Sequence, residues 1–149
     1  MNSPEANIQM VQKANRARER ALAATPHDWS EFRSCFDPNY SEYGAWKINS
    51  VDDFIQRVEE AWDKLAMQVK IADIFAAADG RVVQRAEVSG VHQKEAFGFP
   101  PTGKTLHWEA VEIFEFNSEG KILKMRYFTD LIQLLAQLGF QIPAEHTRF

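Results

Sequence analysis

A β-hairpin is predicted by the sequence TLHWEAVEIFEFNSEGKILKMRYFT, which spans residues 105–129. Its first part, residues 105–116, is typical of a long strand. The Asn-Ser-Glu-Gly segment at residues 117–120 is a turn signal, and residues 121–129 return as a second strand.

Alternation continues on the N-terminal side of this hairpin. Residues 67–75 and residues 81–93 both alternate, and Asp79-Gly80 between them is a second hairpin signal. Together with the first hairpin, these segments predict a four-strand antiparallel meander. Residues 40–49 have no clear period and are predicted to be a loop with one short strand.

Helical signals lie on both sides of the meander. The predicted helices are residues 5–24 after a Ser3-Pro4 start, a short aromatic helix over residues 29–36 ended by a turn at 37–39, a helix over 51–65 capped by Ser50, and a last helix over 131–138. Segregated helices and strands predict an α+β fold, with helices on one face of an antiparallel sheet.

The first helix carries a mixed stripe. The residues that share this stripe are Ile8, Val11, Asn15, Arg18 and Leu22. Its apolar members can face a core.

Composition excludes several classes of protein. The chain has 149 residues, which predicts a single domain over residues 1–149, and its formal net charge is −4. We expect no nucleic-acid partner, since no basic patch is visible, and no membrane span, since no apolar run approaches about 20 residues. The polar N-terminus and the single cysteine, Cys35, predict a cytoplasmic protein without a disulfide or a metal site.

Several short motifs match one family in order and spacing. They are Gly90-Val91-His92, the segment FGFPPTGK at 97–104, VEIF at 111–114, EGKI at 119–122, Asp130 and Gln137-Leu138-Gly139. Over about residues 80–139 this set resembles the SnoaL-like polyketide cyclases of the nuclear transport factor 2-like superfamily, and the helical half resembles them by element order.

The resemblance implies a curved antiparallel sheet wrapped into a cone and closed by the N-terminal helices, a cystatin-like α+β barrel. It also implies a pocket between sheet and helices, a homodimer through the outer face of the sheet, and chemistry without a metal or an organic cofactor. Members cyclise polyketides by intramolecular aldol condensation, and relatives isomerise steroids, open epoxides, dehydrate or hydroxylate.

We therefore expect a cofactor-independent acid–base enzyme that acts on a hydrophobic, oxygenated small molecule such as a polyketide or terpenoid. Its leading reaction would be aldol cyclisation, with isomerisation, dehydration and epoxide opening as alternatives. The alternative from another class is a non-catalytic small-molecule-binding or dimerisation module of the same fold.

Asp130 is the first catalytic candidate, since the resemblance places an acid–base aspartate at the end of the last strand. The same residue precedes the last helix, with Gln133 three positions later, which is also an N-cap pattern. The two roles are compatible.

Hairpin register predicts the neighbours of Asp130. A turn that pairs Asn117 with Lys121 places Glu112 opposite Arg126 and Trp108 opposite Asp130. The predicted pocket face then comprises Trp108, Glu112, Arg126, Phe128 and Asp130. Glu112 and Arg126 would polarise a substrate oxygen, or form a solvent-exposed ion pair. Many family members have His-Trp where this chain has Met125-Arg126, which puts the usual cyclase substrate in doubt.

Other residues complete the candidate site. His92 matches the family's Gly-Thr-His pattern and is either a functional group or a core histidine. His107 begins a strand and is a further catalytic candidate. Tyr43 is a candidate substrate contact whose phenol would donate to an oxyanion, with packing as the alternative. Trp46 and Phe97 would shape the mouth of the pocket, or belong to the core.

Overall fold

The computed structural model describes residues 2–148. Its elements in chain order are α1 (Pro4–Ala23), α2 (Ser30–Ser34), β1 (Phe36–Gly44), α3 (Val51–Leu65), β2 (Gln68–Ala76), β3 (Val82–Val91), β4 (Thr105–Phe116), β5 (Ile122–Thr129), α4 (Leu131–Gln137) and a 3-10 helix (Ala144–His146). None of the helices within residues 2–148 combines the length and the apolar character needed to cross a bilayer.

Two long helices begin at the capping residues that the sequence predicts. Ser3 accepts a hydrogen bond from the backbone N–H of Ala6 at 3.1 Å, and Ser50 accepts one from Asp53 at 3.1 Å. Helix α2 is shorter than predicted, because Phe36 belongs to β1 instead of the helix.

The sheet has the strand order β1-β5-β4-β3-β2. The pairs from β2 to β5 are antiparallel, which confirms the predicted meander. Strand β1 runs parallel to β5, so the sheet is mixed, and the expectation of a purely antiparallel sheet is wrong. The α+β class and the curvature are confirmed, but the sheet does not close into a barrel, since β1 and β2 form its two edges and do not pair with each other.

Strand β1 is the element for which the prediction from the sequence differs most from the structure. It occupies Phe36–Gly44, where the sequence predicts a turn at 37–39 and a loop with a short strand over 40–49. The pairing of β1 with β5 is irregular in the segment that includes Pro38. An edge strand tolerates proline there because one of its sides needs no hydrogen-bond donor.

Two buried apolar clusters lie between the helices and the sheet. The first includes Phe32 of α2 and Tyr40 of β1, and the second includes Leu65 of α3, Trp108 of β4 and Leu134 of α4. The space between α3 and the sheet stays partly open and forms the site described below.

One glycine sets how closely α3 approaches the sheet. A Cβ atom on Gly90 would lie 2.5 Å from the carbonyl oxygen of Leu65. That distance is shorter than any ordinary van der Waals contact, so only glycine lets the C-terminal end of α3 lie against β3. This contact bounds one side of the open space.

Candidate active site

A cavity of about 240 Å³ lies between α3 and the inner face of the sheet. Apolar side chains provide most of its lining, among them Val58, Ala61 and Leu65 from α3 and Val88 and Trp108 from the sheet. Sites for drug-sized ligands typically measure about 300–1,000 Å³. This cavity therefore suits a small and mainly apolar molecule.

Four ionisable side chains that are buried or half-buried line the cavity. They are Arg18 of α1, Glu42 of β1, Glu112 of β4 and Tyr127 of β5. Only 3% of Glu42, 7% of Glu112 and 9% of Arg18 is exposed. Two buried carboxyl groups in one apolar cavity need specific partners, because burial strongly disfavours an isolated charge.

Strand alternation directs these side chains inward. In β4, Trp108 and Glu112 lie on the face that lines the cavity, and in β1 the same alternation buries Tyr40 and Glu42. Glu112 pairs in register with Tyr127 of β5. A carboxyl group and a phenol therefore enter the cavity from neighbouring strands.

Hydrogen bonds hold both carboxyl groups in place. Gln84 Nε2 donates to Glu112 Oε1 at 3.2 Å, and Asn15 Nδ2 donates to Gln84 Oε1 at 2.8 Å. The Tyr40 hydroxyl donates to Glu42 Oε2 at 3.3 Å. Such side-chain networks fix the orientation of the groups that they join.

Burial is the main reason why the pKa of Glu42 rises to about 8. Repulsion from the charge on Glu112 raises it further, while the Tyr40 hydrogen bond and the positive charge of Arg57 oppose the rise. At neutral pH the Glu42 carboxyl therefore keeps its proton.

Two neighbours of Glu112 partly offset the effect of burial on its pKa. Burial raises the pKa of Glu112, but the charge of Arg18 and the hydrogen bond from Gln84 favour the ionised form. Glu42 also has a cation and a hydrogen-bond donor nearby, Arg57 and Tyr40, yet its pKa stays at about 8. The cavity thus holds at least one carboxylic acid at neutral pH.

Tyr127 supplies a neutral hydroxyl next to this pair. Burial, followed by repulsion from Glu112, raises the pKa of Tyr127 to about 12. The hydroxyl therefore stays protonated around neutral pH and can donate a hydrogen bond to a ligand oxygen.

Two aromatic side chains form the exposed rim of the cavity. The rings of Trp46 and Phe97 are stacked with their centroids 6.5 Å apart, and the Arg57 guanidinium lies 4.8 Å from the Trp46 ring centroid. Trp46, Phe97, Trp108 and Glu112 all line the cavity, as the sequence led us to expect. Their roles toward a substrate stay predictions.

The pairing of β4 with β5 differs by one residue from the predicted pairing. The turn itself forms as expected, since the Asn117 N–H donates to the Lys121 carbonyl at 2.9 Å. A bulge then shifts the register, so Glu112 pairs with Tyr127 and not with Arg126. The predicted register is wrong because one extra residue moves the rest of β5 to the opposite face.

Arg126 and Phe128 consequently lie on the outer face of the sheet. The Arg126 guanidinium is 5.3 Å from the Tyr43 ring centroid and 5.1 Å from that of Phe128, and both rings are 43% exposed. Arg126 and Glu112 were predicted either to polarise a substrate oxygen together or to form a solvent-exposed ion pair. Both predictions are wrong, because Glu112 is buried on the inner face. Tyr43, a candidate substrate contact, also lies outside the cavity.

Asp130 is an exposed N-cap of α4. Its Oδ1 accepts a hydrogen bond from the Gln133 N–H at 3.0 Å. Strand β5 ends at Thr129, which pairs with Ala110, so the predicted pairing of Asp130 with Trp108 does not form. The side chain does not line the cavity, and the geometry gives no support to proton transfer by Asp130 there.

The two candidate histidines also lie outside the cavity lining. His92 is fully buried, and its Nδ1 accepts a hydrogen bond from the Thr102 N–H at 3.2 Å, which fastens the loop before β4. His107 is exposed, and its backbone bonds to the Gln137 side chain. Within residues 2–148, no group of three or more His, Cys, Asp and Glu side chains could hold a metal ion.

Sequence reasoning missed Glu42, Arg18 and Tyr127 as site residues. Arg18 had a readable signal, since it interrupts the stripe of α1 that Val11 helps to bury, and a buried charge needs a partner. Glu42 had none, because β1 did not stand out as a strand. Tyr127 was placed on the wrong face by the bulge.

A family model identifies the chain. The model of the SnoaL-like polyketide cyclases matches residues 14–138. This chain belongs to the SnoaL-like polyketide cyclase family. The match spans the whole sheet and both cavity glutamates, and it confirms the resemblance seen in the motifs.

Solved structures support the fold of this SnoaL-like protein. AclR, a candidate hydroxylase from Streptomyces galilaeus, is 25% identical with a TM-score of 0.67, and the alignment covers 91% of this chain and 92% of AclR. A candidate SnoaL-like polyketide cyclase from Jannaschia sp. CCS1 is 20% identical with a TM-score of 0.75, and the alignment covers 95% of this chain and 99% of that protein. A candidate polyketide cyclase from Xanthomonas campestris pv. campestris is 19% identical with a TM-score of 0.73, and the alignment covers 91% of this chain and 99% of that protein. No curated protein matches the chain significantly.

Proposed function

We propose that this SnoaL-like protein catalyses a cofactor-independent acid–base reaction on a small hydrophobic oxygenated molecule. One observation carries the proposal: Glu42 and Glu112 face the same apolar cavity, where burial keeps the proton on Glu42 and the charge of Arg18 favours ionisation of Glu112. Removal of a proton next to a carbonyl needs a base and a donor for the enolate oxygen. The ionised Glu112 supplies the base, and the protonated Glu42 supplies the donor.

In the first step, the Glu112 carboxylate removes a proton from the carbon next to a substrate carbonyl. The electron pair of the broken C–H bond forms the enolate, whose oxygen accepts a hydrogen bond from the Glu42 carboxyl. Tyr127 provides a second donor. These interactions act in an apolar cavity, where electrostatic stabilisation exceeds that in water.

In the second step, the enolate carbon attacks another carbonyl of the same molecule and forms a carbon–carbon bond. The new alkoxide takes back the proton that Glu112 removed, so both glutamates recover their starting states. Membership of a family named for polyketide cyclases favours this aldol cyclisation. Return of the proton to a different carbon would make the same pair an isomerase.

Hydrogen–deuterium exchange next to the carbonyl of 2-tetralone tests proton abstraction without the natural substrate. We expect the wild-type protein to accelerate exchange, measured by NMR in D₂O. Glu112→Gln is expected to lower the catalysed rate at least about 100-fold, because it removes the base. Glu119→Gln, at an exposed turn position, is the matched control and is expected to have no effect. Unchanged exchange in Glu112→Gln would contradict the proposal.

The second candidate function is a non-catalytic module that binds a small apolar molecule. One observation favours it: Asp130, the acid–base residue that the family resemblance implies, caps α4 outside the cavity. Such a module would bind 2-tetralone, with quenching of tryptophan fluorescence, and would give no exchange above background. Acceleration by the wild-type protein together with its loss in Glu112→Gln excludes this alternative.

A further inference from the structure

The entrance of the cavity carries positive charge that the proton-transfer chemistry does not use. Helix α3 contributes Arg57 and Lys64 to the lining, and both side chains are exposed. Seven residues along a helix correspond to a rise of roughly 10 Å, so the two cations flank the opening along α3. Their positive charge contrasts with the net charge of −4 for the whole chain.

Arg57 lies against an aromatic side chain at this rim. Its guanidinium carbon is 4.8 Å from the Trp46 ring centroid, and Trp46 stacks on Phe97. A cation–π contact of this kind uses the face of the aromatic ring and none of the N–H donors of the guanidinium. Those donors can therefore bind a planar oxyanion such as a carboxylate.

Four of the five acidic side chains of α3 bind other groups, and the fifth, Asp53, does not line the cavity. Asp52 pairs with Arg33 at 2.9 Å, Glu59 accepts from Trp29 at 2.7 Å, Glu60 accepts from Gln56 at 3.3 Å, and Asp63 pairs with Lys94 at 2.6 Å. Glu60 also lines the cavity and offsets one of the two cations. Of the described residues of α3, those that line the cavity and carry charge are Arg57, Lys64 and Glu60, so their formal sum is one positive charge.

The interior does not cancel this charge. Glu112 is balanced by Arg18, and Glu42 keeps its proton at neutral pH. The deep lining is apolar, with Trp108 and Val88 on the sheet side. The site therefore combines an apolar interior of low net charge with a cationic rim.

We propose that the substrate has a carboxylate at one end, which binds Arg57 and Lys64, and an apolar carbonyl-bearing body, which fills the cavity. This inference rests on the proposed function, because it assumes that the body places its carbonyl beside Glu42 and Glu112. Arg57 is then a specificity-determining residue, since it recognises the end of the substrate that does not react.

Equilibrium binding of 2-naphthoate and of the neutral isostere 2-naphthamide tests the inference, with tryptophan fluorescence as the signal. At pH 7 we expect the wild-type protein to bind naphthoate about tenfold more tightly, as for one exposed charge-assisted contact. Arg57→Gln is expected to bring the ratio of the two affinities close to one, and Arg57→Lys to retain part of it. Arg16→Gln, an exposed change on α1 away from the cavity lining, is the matched control.

Equal affinities in the wild-type protein, or a preference that Arg57→Gln leaves intact, would overturn the inference. Exchange of the neutral 2-tetralone by the wild-type protein separates this failure from failure of the proposed function. If the wild-type protein accelerates exchange but shows no preference for naphthoate, only the inference about the carboxylate is contradicted. If it prefers naphthoate but does not accelerate exchange, the carboxylate-binding rim is supported and the catalytic proposal is contradicted.

Discussion

Replacement of Glu42 by glutamine is expected to stabilise the protein, and increasingly so as the pH rises. The pKa of Glu42 is about 8 in the folded protein, against 4.5 for a free side chain. Between these values the folded state keeps a proton that the unfolded state has released, so the stability of the wild-type protein falls as the pH rises. Glutamine has no such proton and still accepts from the Tyr40 hydroxyl.

The size of the stabilisation by Glu42→Gln follows from the difference between the two pKa values of Glu42. Each pH unit between the two pKa values costs the folded state about 1.4 kcal/mol. The Glu42→Gln variant should therefore gain about 3 kcal/mol at pH 7 and about 5 kcal/mol above pH 8, with no gain near pH 4. For a chain of this size the gain at pH 7 corresponds to a melting temperature about 10 °C higher.

Urea denaturation at several pH values between 4 and 9 measures the effect directly. Glu119→Gln removes an exposed glutamate and is expected to leave the stability unchanged at every pH. The titration of Glu112 persists in Glu42→Gln and leaves a smaller slope of stability against pH. Parallel curves for the wild-type protein and Glu42→Gln would refute the reasoning, because they would mean that Glu42 titrates normally in the fold.

Three further predictions concern the residues around the cavity and the sheet. Arg18→Met removes the buried positive charge that favours ionised Glu112, and it should lower the free energy of unfolding by about 3 kcal/mol in urea at pH 7; an unchanged value would contradict this effect of Arg18 on Glu112. Asp130→Ala should lose about 1 kcal/mol of thermal stability, and Asp130→Asn only a few tenths, because Asn caps a helix about as well as Asp; equal losses would argue against a cap. Arg126→Glu places a negative charge between the exposed rings of the outer face, and it should dissociate the expected homodimer in sedimentation experiments; a dimer that persists would place the interface elsewhere.

Strong periodicity made much of the fold predictable. The meander and helix α3 follow from alternation, hairpin signals and the Ser50 cap, all of which are local. Strand β1 did not follow, because Asp37-Pro38-Asn39 is typical of a turn and the strand joins the sheet by parallel pairing with a distant partner. Such long-range pairing leaves little trace in the sequence of the strand itself.

The site was predictable only where the register was secure. Glu112 and Trp108 lie on β4, whose alternation is regular, and both line the cavity as expected. Arg126 and Phe128 lie beyond the bulge of β5, and a turn sequence does not reveal a bulge that follows it. Counting from the turn therefore put Arg126 and Phe128, instead of Tyr127, into the cavity.

Asp130 illustrates a different limit. Its sequence context satisfied both an N-cap pattern and a family role, and the two could not be separated without coordinates. The structure shows the cap at 3.0 Å from Gln133 and puts Glu42 into the cavity instead.

The glutamate pair is tested most directly by a ¹³C NMR titration of the glutamate side-chain carboxyl carbons. We predict one carboxyl with a midpoint at about pH 8 in the wild-type protein, and its disappearance in Glu42→Gln. If every glutamate of the wild-type protein titrates below about pH 5, as unperturbed glutamates do, the cavity holds no carboxylic acid at neutral pH and the proposed proton transfer is contradicted.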